Sequence, residues 1–148
     1  MFVIERQQWV PAPLPQTFEF FSNAENLGLL TPPWLGFRIV TPKPISMATG
    51  TLIDYRIKLF GLPMRWRTGI TDWTPGVRFS DVQLRGPYQK WEHTHSFTAM
   101  GGGTLITDRV EYHLRFGVLG RLVHSVFVRT TLARVFDYRF AKIRETFL

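Results

Sequence analysis

Apolar residues along the chain of 148 residues recur with two different periods, and the switch points divide it into elements. Phe2 to Val10 reads as an extended first segment. The Pro11-Ala12-Pro13-Leu14-Pro15 stretch cannot continue a central strand, yet Pro15 suits the first turn of a helix, so a short helix is expected from about Pro15 to Phe21. Ser22 and Glu25 have capping-box spacing, which predicts a second short helix from Asn23, ended by Thr31-Pro32-Pro33. From Gly36 to Leu114 the period is two. Turn signals at Pro42-Lys43-Pro44, Gly61-Leu62-Pro63, Thr74-Pro75-Gly76, Gly86-Pro87 and Gly101-Gly102-Gly103 cut this stretch into about six strands. Turns this short favour an antiparallel meander. After Gly117 the helical period takes over: Leu119, Leu122, Val123, Val126, Phe127, Thr130 and Ala133, then Phe136, Phe140, Ile143 and Phe147.

One long amphipathic helix after a run of strands has one sensible place to bury its stripe, the concave face of a curled sheet. The expected fold is therefore α+β: a curved antiparallel sheet of about seven strands wrapped around the C-terminal helix, with two short helices after strand one. A single domain over residues 1–148 is expected, with a cavity between sheet and helix. Composition supports a core: 45% of residues are hydrophobic, and there are five Trp and thirteen Phe. A chain of this size buries roughly 70% of its unfolded surface, enough to hold together without staples. There is no Cys, which excludes disulfides, thiolate metal sites and a Cys nucleophile. The N-terminus lacks the pattern of a secretion signal, and no apolar run reaches the roughly 20 residues of a membrane helix. A cytoplasmic protein without stable membrane insertion is expected. The net charge of +7 is spread along the strands and the last helix without a recognition motif, so no nucleic-acid partner is expected.

Strand parity selects the candidate chemistry. Trp91, His93, His95 and Phe97 share one face of a strand, opposite Lys90, Glu92, Thr94 and Ser96. In the preceding strand Phe79, Asp81 and Gln83 share a parity, and in the following one Ile106, Asp108, Val110, Tyr112 and Leu114 do. Two His, two Asp, a Gln and a Tyr facing a core is more polarity than a dry interior needs. Three readings stay open: a mutually satisfied cross-strand network, polar contacts for a bound apolar molecule, and an acid–base pair with His93 or His95 as base and Asp81 or Asp108 orienting it. The His-x-His spacing also admits a metal with Asp81, Asp108 or a carboxylate from elsewhere in the chain as third ligand, but no spacing rule supplies that ligand; no metal or cofactor is assigned. Tyr55 and Trp66 are expected on the cavity wall, Arg65 and Arg67 outside it. Trp34, in the loop Thr31 to Gly36, is expected at the entrance as a lid or an end plug.

The motifs Leu30-Thr31-Pro32-Pro33-Trp34, Arg85-Gly86-Pro87-Tyr88, Trp91-Glu92-His93-Thr94-His95-Ser96-Phe97, Gly103-Thr104-Leu105-Ile106-Thr107-Asp108 and Phe136-Asp137-Tyr138-Arg139 resemble a bacterial branch of the SRPBCC superfamily. That superfamily includes START-type lipid-transfer domains and polyketide cyclase/dehydrases, and the likeness covers nearly the whole chain. Where such relatives tend to have Pro near the last loop, this chain has Arg115-Phe116-Gly117. The resemblance implies a helix-grip fold and a cavity for a small hydrophobic ligand: a lipid, an isoprenoid or a polyketide-like molecule. Trp34, Tyr55, Trp66, Phe79, Trp91 and Tyr112 would be its apolar walls, with Asp81, Gln83, His93 and His95 as polar contacts. A cyclase, dehydratase or isomerase using the His/Asp pair is the alternative, since one scaffold serves many functions.

Overall fold

The computed structural model describes residues 1–59 and 61–148. Seven strands form one antiparallel sheet: β1 (Phe2–Val10), β2 (Arg38–Ile39), β3 (Leu52–Leu59), β4 (Leu62–Thr74), β5 (Arg78–Arg85), β6 (Lys90–Met100) and β7 (Gly103–His113), in the order β1-β7-β6-β5-β4-β3-β2. The meander from β3 to β7 reflects its closely spaced strands, while residues 40–51 separate β2 from β3, and β1 closes the far edge by pairing with β7, Phe2 opposite Tyr112 through Val10 opposite Thr104. Register shifts between Arg67 and Thr68 and between Ile70 and Asp72 bend β4, as bulges do, and help the sheet curl. The helix-grip fold expected from the sequence is the fold observed.

Between β1 and β2 lie α1 (Leu14–Ser22), a 3₁₀ turn at Ala24–Asn26, α2 (Leu27–Leu30) and a 3₁₀ turn at Pro33–Leu35. Pro15 occupies the first turn of α1, where its missing N–H costs nothing. The expected capping box is not formed. Ser22 is still inside α1, and its hydroxyl donates back to the Glu19 carbonyl at 3.1 Å. Asn23 caps instead, its side-chain oxygen accepting from the Glu25 N–H at 3.0 Å, because an Asx side chain reaches the amide two residues on.

The C-terminal helix departs more from expectation. It runs as α3 (Gly117–Val123), a π turn (His124–Val128) and α4 (Arg129–Phe147). A π turn carries more residues per turn than an α-helix, so it rotates α3 about the helix axis relative to α4. One helical period therefore cannot describe both halves. In α4 the stripe is inward, with Leu132, Phe136 and Ile143 buried, although Phe140 is exposed. Upstream, Leu119, Leu122, Val126 and Phe127 are exposed, and Gly120 and His124 face the protein instead. No described helix is long and apolar enough to cross a membrane.

Two apolar clusters fill the interior. One joins Val10, Phe18, Phe21, Leu30, Phe79, Phe97, Ile106 and Ile143. The other joins Ile57, Trp66, Tyr88, Val110, Tyr112, Leu132 and Phe136. Phe136→Ala is expected to cost about 3–5 kcal/mol in urea denaturation, whereas Leu122→Ala, on the water-facing side of the helix, should stay within about 0.5 kcal/mol. Equal losses would contradict the phase change at the π turn.

Candidate functional site

Between the sheet and the helix lies a partly open cavity of about 200 Å³. Its walls are mostly apolar: Ile53, Tyr55, Ile57 and Leu59 from β3, Trp66 and Ile70 from β4, Phe79, Tyr88 and Trp91, and Leu132, Val135 and Phe136 from α4. Leu27, Leu30, Leu35 and Phe37, from the segment between α1 and β3, complete it. The aromatic rings brace one another, Tyr55 stacked on Trp66 at 5.9 Å and Trp91 edge-on to Trp66 at 5.4 Å. The charged and imidazole side chains on its lining are Asp81, His93, His95 and Arg139, with uncharged Asn23, Asn26, Thr31, Thr68 and Thr131 elsewhere on it.

Cross-strand register explains how these groups meet. Asp81 pairs with His93 across β5 and β6, and His95 pairs with Asp108 across β6 and β7, which brings both carboxylates to the two imidazoles. The Asp81 carboxylate reaches diagonally to His95 Nε2 at 3.0 Å. Asp108 binds His93 Nε2 at 3.0 Å and lies 3.1 Å from His95 Nδ1. On the helix side Arg139, only 8% exposed, donates from Nε to the other Asp108 oxygen at 3.2 Å. The imidazoles stack with centroids 3.7 Å apart. His95 lies on Phe79 at 4.2 Å, while His93 meets Phe136 at 5.8 Å, so the polar cluster sits between the two apolar ones.

This arrangement separates the two imidazoles electrostatically. Burial pushes His93 below its ordinary value near 6.5, and the charge of neighbouring His95 adds to that, outweighing Asp108. Burial also opposes a charge on His95, but hydrogen bonds with Asp108 and Asp81 overcome it and raise the value. For Asp108, burial works against ionisation, yet the Arg139 charge and the bonds from both imidazoles hold it well below the usual carboxylate range. Desolvation pushes the Tyr55 and Tyr88 hydroxyls upward, so both stay neutral.

Of the residues anticipated at the ligand, Tyr55, Trp66, Phe79, Asp81, Trp91, His93 and His95 line the cavity, and three do not. Trp34 is 56% exposed and packs edge-on against Tyr138 at 5.8 Å. Positions three apart share a side in a 3₁₀ turn, so with Pro32 buried and Leu35 on the cavity, Trp34 is turned outward. It stands off the cavity lining, against α4. Gln83 has the inward parity but commits its amide to the turn: its Nε2 donates to the Tyr88 carbonyl at 2.7 Å, and its Oε1 accepts from the Tyr88 N–H at 3.0 Å. Its effect is to seat Tyr88 on the wall. Tyr112 is buried behind that wall, edge-on to Tyr88, with its hydroxyl 2.7 Å from His124 Nε2. Asp108 stands behind the imidazoles rather than on the cavity surface.

Parity alone missed Arg139 and Tyr88. The signal for Arg139 was its place three after Phe136 and four before Ile143, a core-facing position in a helix. Asp81, His93 and His95 each bring one ligand-type atom within 4.8 Å of the others, the combination that could hold a metal ion.

A family model described as polyketide cyclase / dehydrase and lipid transport matches residues 10–137. Among solved structures, the chain is similar to TTHA0849 from Thermus thermophilus, with 19% identity over 97% of this chain and 95% of that one and a TM-score of 0.71. It is similar to major latex-like protein 151 from Panax ginseng, at 12% identity, 99% and 97% coverage and a TM-score of 0.70. A third likeness, 24% identical with a TM-score of 0.69, is to a nucleoside-diphosphate sugar epimerase from Corynebacterium glutamicum, of which only 28% is covered against 96% of this chain. At these identities the likenesses speak for the fold alone. A search of curated proteins found no match.

The opposed shifts of the two imidazoles set a pH dependence. Protonated His95 stabilises the fold below about pH 6.5, and that contribution fades as pH rises through its raised value. His93 acts in the other direction: below about pH 6.5 the unfolded chain takes up its proton first, which lowers stability. Proton NMR should show His95 titrating above 6.5 and His93 below it, and His95→Gln should remove the decline in urea midpoint on the alkaline side. The same ordering in both rings, or an unchanged alkaline limb, would contradict the geometry.

Proposed function

The chain belongs to the polyketide cyclase / dehydrase and lipid transport family, and on that premise we propose that its cavity binds a compact, mostly apolar small molecule with a polar end. The observation that carries this reading is the asymmetry of the cavity: aromatic and aliphatic walls over most of its surface, with the charged and imidazole side chains Asp81, His93, His95 and Arg139 held in one connected cluster. Such a lining takes up an apolar body and orients it by a few polar contacts. Size narrows the ligand. A cavity of about 150 Å³ accepts benzene, so the 200 Å³ here suits a fused aromatic or a short isoprenoid better than an extended two-chain lipid.

Native mass spectrometry of freshly purified protein tests this directly, together with thermal shifts across a hydrophobic library. Naphthol is expected to bind and quench tryptophan fluorescence. Val135→Trp, which fills the cavity from α4, should weaken binding about tenfold or more. A copurifying apolar species supports the reading; no bound species and no thermal shift would leave a polar network inside a filled core.

The second reading is a cyclase, dehydratase or isomerase, and the separation of the imidazoles favours it. His93, shifted down, is the ring that stays neutral more readily and so the base, and His95, shifted up, is the one that takes a proton more readily, 3.7 Å apart ring to ring in one cavity wall. His93 would take a proton from a carbon next to a carbonyl, with Asp108 holding the imidazole, while His95, whose two nitrogens face Asp81 and Asp108, would give up its bond to Asp81 to protonate the oxygen. If so, His93→Gln should keep affinity within about tenfold and lower turnover by roughly 10²-fold or more. A bound ligand that returns unchanged after incubation favours a carrier.

A further inference from the structure

The exposed side of α3 is apolar, the reverse of what a helix on a water-facing surface ordinarily shows. Phe116, at its N-cap in a left-handed conformation with φ 73°, is 80% exposed. Leu122 and Val126 are 62% and 57% exposed, with Val118 and Leu119 exposed beside them. Positions 118, 122 and 126 succeed one another four residues apart and form a line along the helix.

The inner side explains why this face stays outward. Gly120 lies so close to the Arg115 carbonyl that an added Cβ would collide with its oxygen. One turn on, His124 is buried, hydrogen-bonded to the Tyr112 hydroxyl and stacked on Phe2 at 3.5 Å. A glycine and an anchored histidine fix the rotation of the helix, so the apolar line cannot turn inward without breaking that contact.

Charge identifies the partner. No acidic residue lies between Glu111 and Asp137, a stretch that carries Arg115, Arg121, Arg129 and Arg134. None of these four forms an ion pair among the described residues. Arg121 and Arg129, eight apart, lie along the same side of the apolar line. An apolar strip flanked by unpaired cations fits the boundary between acyl chains and anionic headgroups. A second copy of the chain would set these arginines against one another. We propose that Phe116 to Arg129 lays the protein on an anionic lipid bilayer, Val118, Leu119, Leu122 and Val126 entering the interface and Arg121 and Arg129 meeting headgroup phosphates. This requires no spanning segment and does not rest on the reading of the cavity.

Flotation with phosphatidylcholine vesicles, with and without about 30% phosphatidylglycerol, tests it. The protein should bind the anionic vesicles at least about tenfold more tightly, with the preference falling as salt rises. Leu122→Glu with Val126→Glu should lower binding about tenfold or more without changing the thermal midpoint, both sites being exposed. Arg121→Gln with Arg129→Gln should remove the preference for phosphatidylglycerol while leaving the fold intact. The proposal is overturned if the wild-type protein ignores anionic vesicles, or if both double variants bind as it does. It is equally overturned if sedimentation equilibrium reveals a dimer that the Glu pair dissociates while vesicle binding is absent.

Discussion

Asp108 is the residue on which the site depends. A carboxylate buried without partners is too costly to ionise, and removing one partner of a buried pair commonly costs about 3–5 kcal/mol. Asp108 resolves this by collecting Arg139 from the helix and both imidazoles from the sheet. That requirement ties α4 to β6 and β7 at one height, because the guanidinium can meet the carboxylate only if the helix lies in the concave face with Phe136 and Ile143 inward. The grip of sheet on helix is in this respect an electrostatic one, set between two apolar clusters that alone would tolerate sliding. Apolar packing supplies the bulk of the stabilisation, and the ion pair supplies the register.

The same network accounts for the shape of the cavity. His93 and His95 are held against Asp108 and Asp81, so they cannot swing into the space above them, and their stacking keeps both rings in one wall. On the aromatic side Gln83 has a comparable effect. By bonding both the N–H and the carbonyl of Tyr88 it closes the turn between β5 and β6 and leaves the tyrosine ring packed on Trp66 and Trp91. A wall built from mutually braced rings and a satisfied polar cluster has few low-energy ways to collapse, which is how space survives in an interior that otherwise packs densely.

How much of this could be read from the chain depends on which interactions are periodic. Alternation along β6 put Trp91, His93, His95 and Phe97 on the inner face, and alternation along β5 and β7 brought Asp81 and Asp108 to them; the pairings His95 with Asp108 and Asp81 with His93 are consequences of meander geometry. Parity says where a side chain leaves the backbone, not where it ends. Gln83 leaves inward and turns back to its own hairpin, and Tyr112 leaves inward but is covered by Tyr88. Trp34 lies in a 3₁₀ turn, where strand parity has no meaning. The π turn at His124–Val128 is the largest omission. Its apolar residues fit a continuous helical stripe, and only the contact of His124 with Tyr112 and Phe2, both distant in sequence, shows that the phase has changed.

The polar cluster also bears on what the fold can do chemically. Asp108 is paired with Arg139, and His95, shifted toward its protonated form, bridges Asp81 and Asp108, while His93 is shifted toward its neutral form. A cluster whose members already bond one another has little attraction for a strongly charged ligand, which agrees with the apolar character of the remaining walls. It also sets the imidazole that gains a proton more readily beside the one that gains it less readily. For a carrier this polarity orients a hydroxyl or carbonyl at one end of the ligand. For an enzyme the identical atoms would move a proton, and the difference lies in whether the ligand places an exchangeable C–H within reach of His93. The scaffold is the same in both cases; ligand geometry, rather than any further residue, decides between holding and transforming.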